Sequence, residues 1–483
     1  MAFRPHRPMR WRRSESKQRL ALESLEQRRV MAASVAVGAG IGSSPIVRLL
    51  DAETGAVRAE AMAFETTFKG GVRVAMGDVD GDNIPEILAA SGAGRMAEIR
   101  VFKEQVGSTV LRELTAYRTL PFGSAYSGGT EVACGDVDAN GREDIVAAMS
   151  RGGGTVKIFL SVNAADPIAN VAYRSFTPFG GTYDGGASVA VAELGTFSAG
   201  QLLNAIIPDR RVEIVVGSGA GRPATVKAYD VSATPRVVMT ITPMSPGLQG
   251  GVTVASGLYN NDDIEDIVVS AGRGGGGITE VYAGVLGTVT AAPLRRFAAF
   301  ASLAKPNAPV STAPVDLNGD GVIDRFLVTQ GDASANPGIV STSTLGSRVG
   351  TVSTLRGPLR IAAPRTIFPT VTTNSGLQYQ DIVKGTGTAP IVGKRVTAHF
   401  TGMLTDGRVF SSSRPGGTPY QFTLGAAELI KGWNEGIAGM KVGGRRILTV
   451  PGNLGYGDFP PTGGIIPKGA MLIFEVELVS AQS

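Results

Sequence analysis

From residue 34 to about 345, short apolar runs alternate with Asp-rich and Gly-rich stretches, and the whole pattern recurs. GGVRVAMGDVDGDNIPEILAASGAG at 70–94 aligns with GGTEVACGDVDANGREDIVAAMSRGGG at 128–154. Weaker copies are GGASVAVAEL (185–194), rejoined after an insert by RVEIVVGSGAG (211–221), then GGVTVASGLYNNDDIEDIVVSAGRGGG (250–276) and APVSTAPVDLNGDGVIDRFLVTQGD (308–332). The loops start at 78, 136, 193, 258 and 316, in steps of 58, 57, 65 and 58 residues. Each unit reads as strand, Asp-rich loop, strand, Gly-rich turn, strand, with third strands at 98–102, 156–160 and 226–229. Short strands repeating at this period predict an all-β propeller. Residues 35–69 hold only the back half of a unit, VAVGAG then PIVRLLD, and the last copy lacks an outer strand. Such complementary ends predict a ring closed by a blade shared between its termini. About six blades are expected, with five or seven left open.

After 345 the pattern changes. Residues 346–371 hold three prolines and no repeat, and read as a linker or a short docking strand. Within 372–483, Arg395–Gly402 and Ala470–Val479 alternate, and Leu472, Phe474, Val476 and Leu478 share one face. Between them Trp433, Ile437 and Met440 recur at helical spacing. The expectation is an α+β domain, an antiparallel sheet wrapped on one short helix. The chain thus divides into a basic segment 1–33, a propeller 34–345, a linker 346–371 and a compact domain 372–483.

Three runs in the last part carry more than a fold: VGKRVTAHFTGMLTDGRVFSSS, YQFTLGAAELIKGWNEGIAGMKVGGRRILTVP and LGYGDFPPTGGIIPKGAMLIFEVEL. In order and spacing they resemble the FKBP-type peptidyl-prolyl cis–trans isomerases. The resemblance implies a pocket lined by Phe400, Phe410, Tyr420, Phe422, Leu429, Ile430, Trp433, Tyr456, Ile465, Ile466 and Phe474, with Trp433 as the floor under a proline ring. It also implies two donors to the substrate, the Ile430 backbone N–H and the Tyr456 hydroxyl. The N–H of Ile430 opens a helix, where donors lack intrahelical partners. Tyr456 lies in a Gly/Pro-rich flap. The family pattern FDSS reads Phe410-Ser411-Ser412-Ser413 here, so Ser411 keeps a hydroxyl and loses a carboxylate. The flap also seats one more residue and lacks a His often found there. The reaction needs no cofactor, and its clients are proline-containing polypeptides. The alternative is a surface adhesion or interaction protein whose FKBP domain binds such segments with little catalysis.

The repeat loops have a chemistry of their own. Calcium takes six to eight oxygens from a short loop with ligands at alternating positions. Asp78, Asp80, Asp82, the Ile84 carbonyl and Glu86 have that spacing, as do Asp136, Asp138, Asn140, the Arg142 carbonyl and Asp144, and Asp316, Asn318, Asp320, the Val322 carbonyl and Asp324. Asx-turns without metal are the alternative. The loop at 258 begins with Leu258 and keeps Asn260, Asp262 and Asp266, and that at 193 has Glu193 then Gly195, so weak or no binding is expected there. Over about 300 residues the repeats resemble the FG-GAP/VCBS repeats of integrin-like propellers, strongly in the loops and weakly elsewhere. A protein or glycan ligand would follow. The Gly-rich turns match no Walker loop, since no GK[ST] follows them.

Composition narrows the classes. The 483 residues include 66 Gly, 43% are hydrophobic and 18% charged, as in a turn-rich β protein. The net charge of +5 is local: residues 1–30 hold nine Lys/Arg and three Asp/Glu, the remainder 37 and 38. No aromatic platform accompanies these arginines, so no nucleic-acid partner is expected. No run of 18 apolar residues suggests a transmembrane helix. The segment LESLEQRRVMAA resembles an N-terminal export motif of planctomycete-type bacteria, implying a cell-surface, extracellular or periplasmic location, with an amphipathic helix as the alternative. Cys134 is the one cysteine, so neither an intrachain disulfide nor a Cys-based metal site can form.

Overall fold

The computed structural model describes residues 33–482 except 162–171, 198–205, 209–211, 232–233, 245–246, 260–263, 286, 289–291, 299–307, 318–321, 331–338, 344–347, 354–358, 364–370, 384, 405–408, 414–417, 428 and 462–463. The export-like segment, through Ala32, lies outside the described residues.

The apolar runs become strands, and each repeat builds an antiparallel sheet; in the third, Gly287–Thr288 of the next repeat adds a parallel edge strand and the insert forms a separate pair, Gly195–Phe197 with Ile206–Pro208. Val72–Gly77, Glu86–Ser91, Ile99–Lys103 and Arg112–Glu113 pair in that order. Further sheets begin with Thr130–Gly135, Ala187–Ala192, Val252–Gly257 and Val310–Val315. The sixth sheet combines Leu359–Ala362, Ser34–Ala39, Ile46–Asp51 and Val57–Met62 in that order. The inner strands neighbour one another in sequence, and Leu359–Ala362 returns to lie against Val72–Gly77. The result is a six-bladed β-propeller.

Closure differs in detail from the sequence-based expectation. Two strands fall inside 346–371: Arg348–Ser353 is the outer strand of the last repeat, and Leu359–Ala362 is the inner strand of the blade begun by Ser34–Ala39. The propeller strands therefore extend to Ala362, the docking-strand reading fits Leu359–Ala362, and the last repeat does have its outer strand. That strand escapes a pattern search because RVGTVS has no continuous apolar face and pairs with Ile339–Ser343 through two register shifts.

Apolar side chains gather between blades rather than within them. Val72, Met76 and Ile87 meet Ala36, Val47 and Leu49 of the preceding blade. Similar clusters fill the other interfaces, and the closing one joins Val35, Val37, Leu50 and Ile361 to Ala313, Leu327 and Ile339. The Gly-Gly pairs set the approach. Gly186 has φ +77°, and a Cβ there would stand 2.0 Å from the Ser150 carbonyl oxygen. The N–H groups of Gly42, Gly94, Gly152 and Gly221 donate to Lys69, Ser127, Asp184 and Gln249, each at the start of the following repeat. The Gly-rich turns thus spend backbone donors on interblade bonds.

The C-terminal domain is a seven-stranded antiparallel sheet in the order Val371–Thr372, Gln378–Val383, Arg445–Val450, Leu472–Ala481, Arg395–Leu404 and Val409–Ser412, with Tyr420–Thr423 also paired to Arg395–Leu404. Its one helix, Lys431–Ala438, lies close on the sheet. A Cβ on Gly432 or Gly436 would come within 2.5 Å of the Val450 or Leu448 side chain.

Candidate active site

The helix points Trp433 and Ile437 into the domain core. Trp433 is 4% exposed and is ringed by aromatics: Phe400 at 5.0 Å, Phe474 at 5.4 Å, Phe422 at 5.5 Å and Tyr420 at 6.2 Å between centroids. All four contacts are edge-to-face, the arrangement favoured by ring quadrupoles. Phe410 meets Phe474 in the same way at 5.5 Å. Gly402 permits this, because a Cβ there would collide with both rings. Leu429, Ile430, Tyr456 and Ile466 pack on the same cluster. Ile465 is 45% exposed and Tyr420 43% exposed, at the solvent edge rather than in the core. The Trp433 indole nitrogen is buried with no hydrogen-bond acceptor among the described residues.

The two expected donors flank Trp433 in the chain. Ile430 precedes the helix with extended φ/ψ (−60°, 146°), and its carbonyl accepts from the N–H of Trp433 and Asn434. Its own N–H donates to no other described residue. Tyr456 is half-buried, and burial, with Tyr420 adding to it, raises its pKa above the ordinary tyrosine value. The hydroxyl therefore stays protonated, as a donor must. Ser411 is exposed, opposite Gly402 in the strand register. Its neighbours are engaged: the Ser412 hydroxyl meets Thr401 at 3.0 Å, and the Ser413 hydroxyl accepts the Phe400 N–H at 2.9 Å.

Two polar residues that sequence reasoning missed hold these elements. Asn434 accepts the Gly425 N–H at 2.7 Å and donates to the Ala426 carbonyl at 3.1 Å, tying the turn before Ile430 to the helix. Arg446, reaching from the neighbouring strand, makes a bidentate pair with Asp381 at 2.6 and 2.9 Å and donates to the Gly436 carbonyl at 2.7 Å. Apolar periodicity carries no signal for either.

The Asp-rich loops share one structural device. The carboxylate closing each loop accepts a backbone N–H from near its start: Glu86 from Val79, Asp144 from Val137, Glu213 from Leu194, Asp266 from Tyr259 and Asp324 from Leu317. This holds in the loops with incomplete acidic sets too, so the last acid has a structural role with or without metal. The other loop groups differ. In the loop at 78, the Lys103 ammonium lies among the carboxylates, 2.5 Å from Asp80, 2.7 Å from Asp82 and 2.9 Å from Glu86. Asp78 accepts the N–H groups of Gly81, Asp82 and Asn83, as an Asx-turn does, and Ile84 donates its N–H to Asp82. Burial, then the charges of Asp80 and Asp78, push Glu86 up to about 7 against the pull of Lys103.

In the loop at 136, carboxylate oxygens of Asp136, Asp138 and Asp144 lie within 4.8 Å of one another. Lys103 follows Phe102, the partner of Ile87, whereas Leu160 follows Phe159, the equivalent partner of Ile145. Burial, then the Asp138 and Asp136 charges, push Asp144 up to about 7. Asn140 donates to the Ser161 carbonyl and accepts from the Arg142 N–H, and the Arg142 guanidinium reaches the Asp80 carbonyl of the preceding loop. This donor set of three converging carboxylates suits a hard divalent cation. Of the loop at 316, Asp316, Val322 and Asp324 are described, whereas Asn318 and Asp320 lie outside the described residues.

Comparison with known proteins assigns a family to the segment that holds these residues. The family model of FKBP-type peptidyl-prolyl cis–trans isomerases matches residues 387–479. FK506-binding protein 1 of Dictyostelium discoideum is 50% identical over 105 residues, 22% of this chain and 97% of the relative. The FK506-binding protein of Neisseria meningitidis serogroup B is 48% identical over 104 residues, 22% of this chain and 94% of the relative. FK506-binding protein 4 of Dictyostelium discoideum is 51% identical, but the match spans only 29% of its length. Among solved structures, AtFKBP13 is similar over 24% of this chain and 99% of its own, at 35% identity and a TM-score of 0.23.

Proposed function

From the premise that the chain belongs, through residues 387–479, to the FKBP-type peptidyl-prolyl cis–trans isomerase family, we propose that it turns over X–Pro bonds in polypeptides that its propeller recruits or localises. The C-terminal domain is an isomerase; its clients, its site roles and the propeller's task are the proposed part. The observation that carries the reading is the buried aromatic floor at Trp433 with two donors beside it that have no described protein partner, at Ile430 and Tyr456.

The chemistry needs neither acid nor base. Amide resonance sets a rotation barrier of roughly 18–20 kcal/mol. The twisted amide has lost resonance and charge separation, so it is less polar than the planar form. An apolar pocket favours it relative to water, and preferring the twisted form is catalysis by differential binding. Each ~1.4 kcal/mol of preference speeds exchange tenfold. The Ile430 N–H and the Tyr456 hydroxyl hold substrate carbonyls while the proline ring rests on Trp433.

The propeller is proposed to bind calcium as an FG-GAP/VCBS-type array, with Asp136, Asp138 and Asp144 as the best-supported ligands because no side-chain cation faces them in the hairpin. The ion would supply the positive charge those carboxylates lack. At the loop of Asp78, calcium has to displace Lys103. The export-like N-terminus supports a surface, extracellular or periplasmic location, where millimolar calcium is at hand, with a protein or glycan as the propeller's ligand.

The test is an X–Pro peptide added to the full chain, with binding and cis–trans exchange both followed by NMR. Binding with accelerated exchange supports the enzyme reading. Binding at the uncatalysed rate favours an interaction module, and the absence of both sinks the proposal.

A further inference from the structure

The helix that carries Trp433 is poorly equipped to hold itself. It is eight residues long, and isolated helices this short are unstable in water. Gly432 and Gly436 sit inside it, and glycine is the least favourable helix residue after proline. Neither takes a side chain without displacing Val450 or Leu448, whose methyl groups a Cβ would strike. Ile430 offers no side-chain cap, and no basic residue stands in the last turn. Close docking has thus been reached with a sequence that leaves the helix weak.

What compensates comes from the sheet. Arg446 is buried in the strand Arg445–Val450, and its guanidinium donates to the Gly436 carbonyl at 2.7 Å and, more weakly, to Gly439 at 3.5 Å. These are terminal helix carbonyls, the negative end of the dipole, where a cation is favourable. The same guanidinium is fixed by both Asp381 oxygens and stacks on Tyr379 at 3.9 Å. A planar fork can make all these bonds together, whereas a lysine ammonium cannot.

We infer that Arg446, oriented by Asp381, is a positioning residue for the isomerase reaction: it fixes the helix against the sheet and so sets the height and tilt of the Trp433 platform. The inference rests on the catalytic reading above, and it assigns a role in catalysis to two residues outside the pocket lining. Misplacing a platform by a fraction of an ångström costs rate without unfolding the domain, and losses on the order of tenfold or more are typical of such shifts.

The test compares Arg446→Met, Arg446→Lys and Asp381→Asn in the full chain carrying Trp11→Phe, which leaves Trp433 as the one tryptophan of the two. Exchange of an X–Pro peptide and acrylamide quenching of Trp433 are both read well below the melting transition. The expected result is a roughly tenfold loss of kcat/KM for Arg446→Met with increased quenching, a smaller loss for Asp381→Asn, and partial recovery in Arg446→Lys. If Arg446→Met does not fold, the other two variants decide in the same way. Quenching unchanged in every folded variant overturns the inference whether or not the wild type is active. So does kcat/KM within twofold of an active wild type. An inactive wild type whose quenching still responds to Arg446 instead counts against the catalytic reading and leaves the positioning intact.

Discussion

Ser411 stands where the family pattern FDSS expects an aspartate. The residue is exposed, so a change there leaves the core undisturbed, and the resemblance sets it at the polar rim of the pocket. A hydrogen bond to a charged group is worth roughly 1.5–3 kcal/mol, against about 1 for a neutral pair. That difference gives Ser411→Asp an expected rise in kcat/KM of about an order of magnitude on one X–Pro peptide, with an unchanged melting temperature. An equal or lower specificity constant would show that the pocket compensates elsewhere. The aromatic residues around Trp433 were legible because the motif fixes their order and spacing. Arg446 and Asp381 were not: they are 65 residues apart, and nothing in local sequence couples a strand arginine to one particular acid.

At the scale of elements, the Asp-rich loops show how one sequence signature covers two electrostatic situations. Their alternating acids were plain in the sequence. What the sequence could not tell is that Lys103 reaches the carboxylates of one loop while the equivalent chain position in the next hairpin, after Phe159, is Leu160. That contrast depends on the register of a third strand. It also could not reveal that the closing carboxylate accepts a backbone N–H in five loops, which makes that acid a poor diagnostic of metal. If calcium binds the native state alone, it raises stability by mass action. The propeller of the full chain should then melt higher in millimolar calcium and lower with a chelator. Lys103→Met should lower the melting temperature without calcium and enlarge the calcium-dependent rise, since Asp80, Asp82 and Glu86 lose their cation. No calcium response in either protein would leave the loops as Asx-turns.

Over the whole molecule, the propeller is held by apolar clusters between blades and by one strand that joins its two ends. Ile361 lies on that strand, 6% exposed, packed with Val35, Val37 and Leu50. Truncating a buried Ile to Ala costs about 2–5 kcal/mol. Ile361→Ala should therefore lower the melting transition of the propeller by several degrees while leaving isomerase activity intact, as followed by calorimetry and peptide exchange on the same sample. The repeat predicted about six blades, with five or seven left open, and the sharing of one between the ends; the strand pairing makes the number six. The closing strand could not be read there, because LRIA is four residues outside the repeating pattern and gains its identity only from pairing with Ser34–Ala39.

The central claim is that an apolar platform at Trp433 accelerates X–Pro rotation without acid, base or metal. Its most direct test is the exchange rate of one X–Pro peptide with the full-length wild type, Trp433→Ala and Tyr456→Phe at equal folded concentration. The account predicts exchange well above the uncatalysed rate for the wild type, a loss of at least tenfold for Trp433→Ala, and a roughly fivefold loss for Tyr456→Phe, the worth of one neutral hydrogen bond. Exchange at the uncatalysed rate in the wild type, or undiminished exchange without the Trp433 ring, would contradict it.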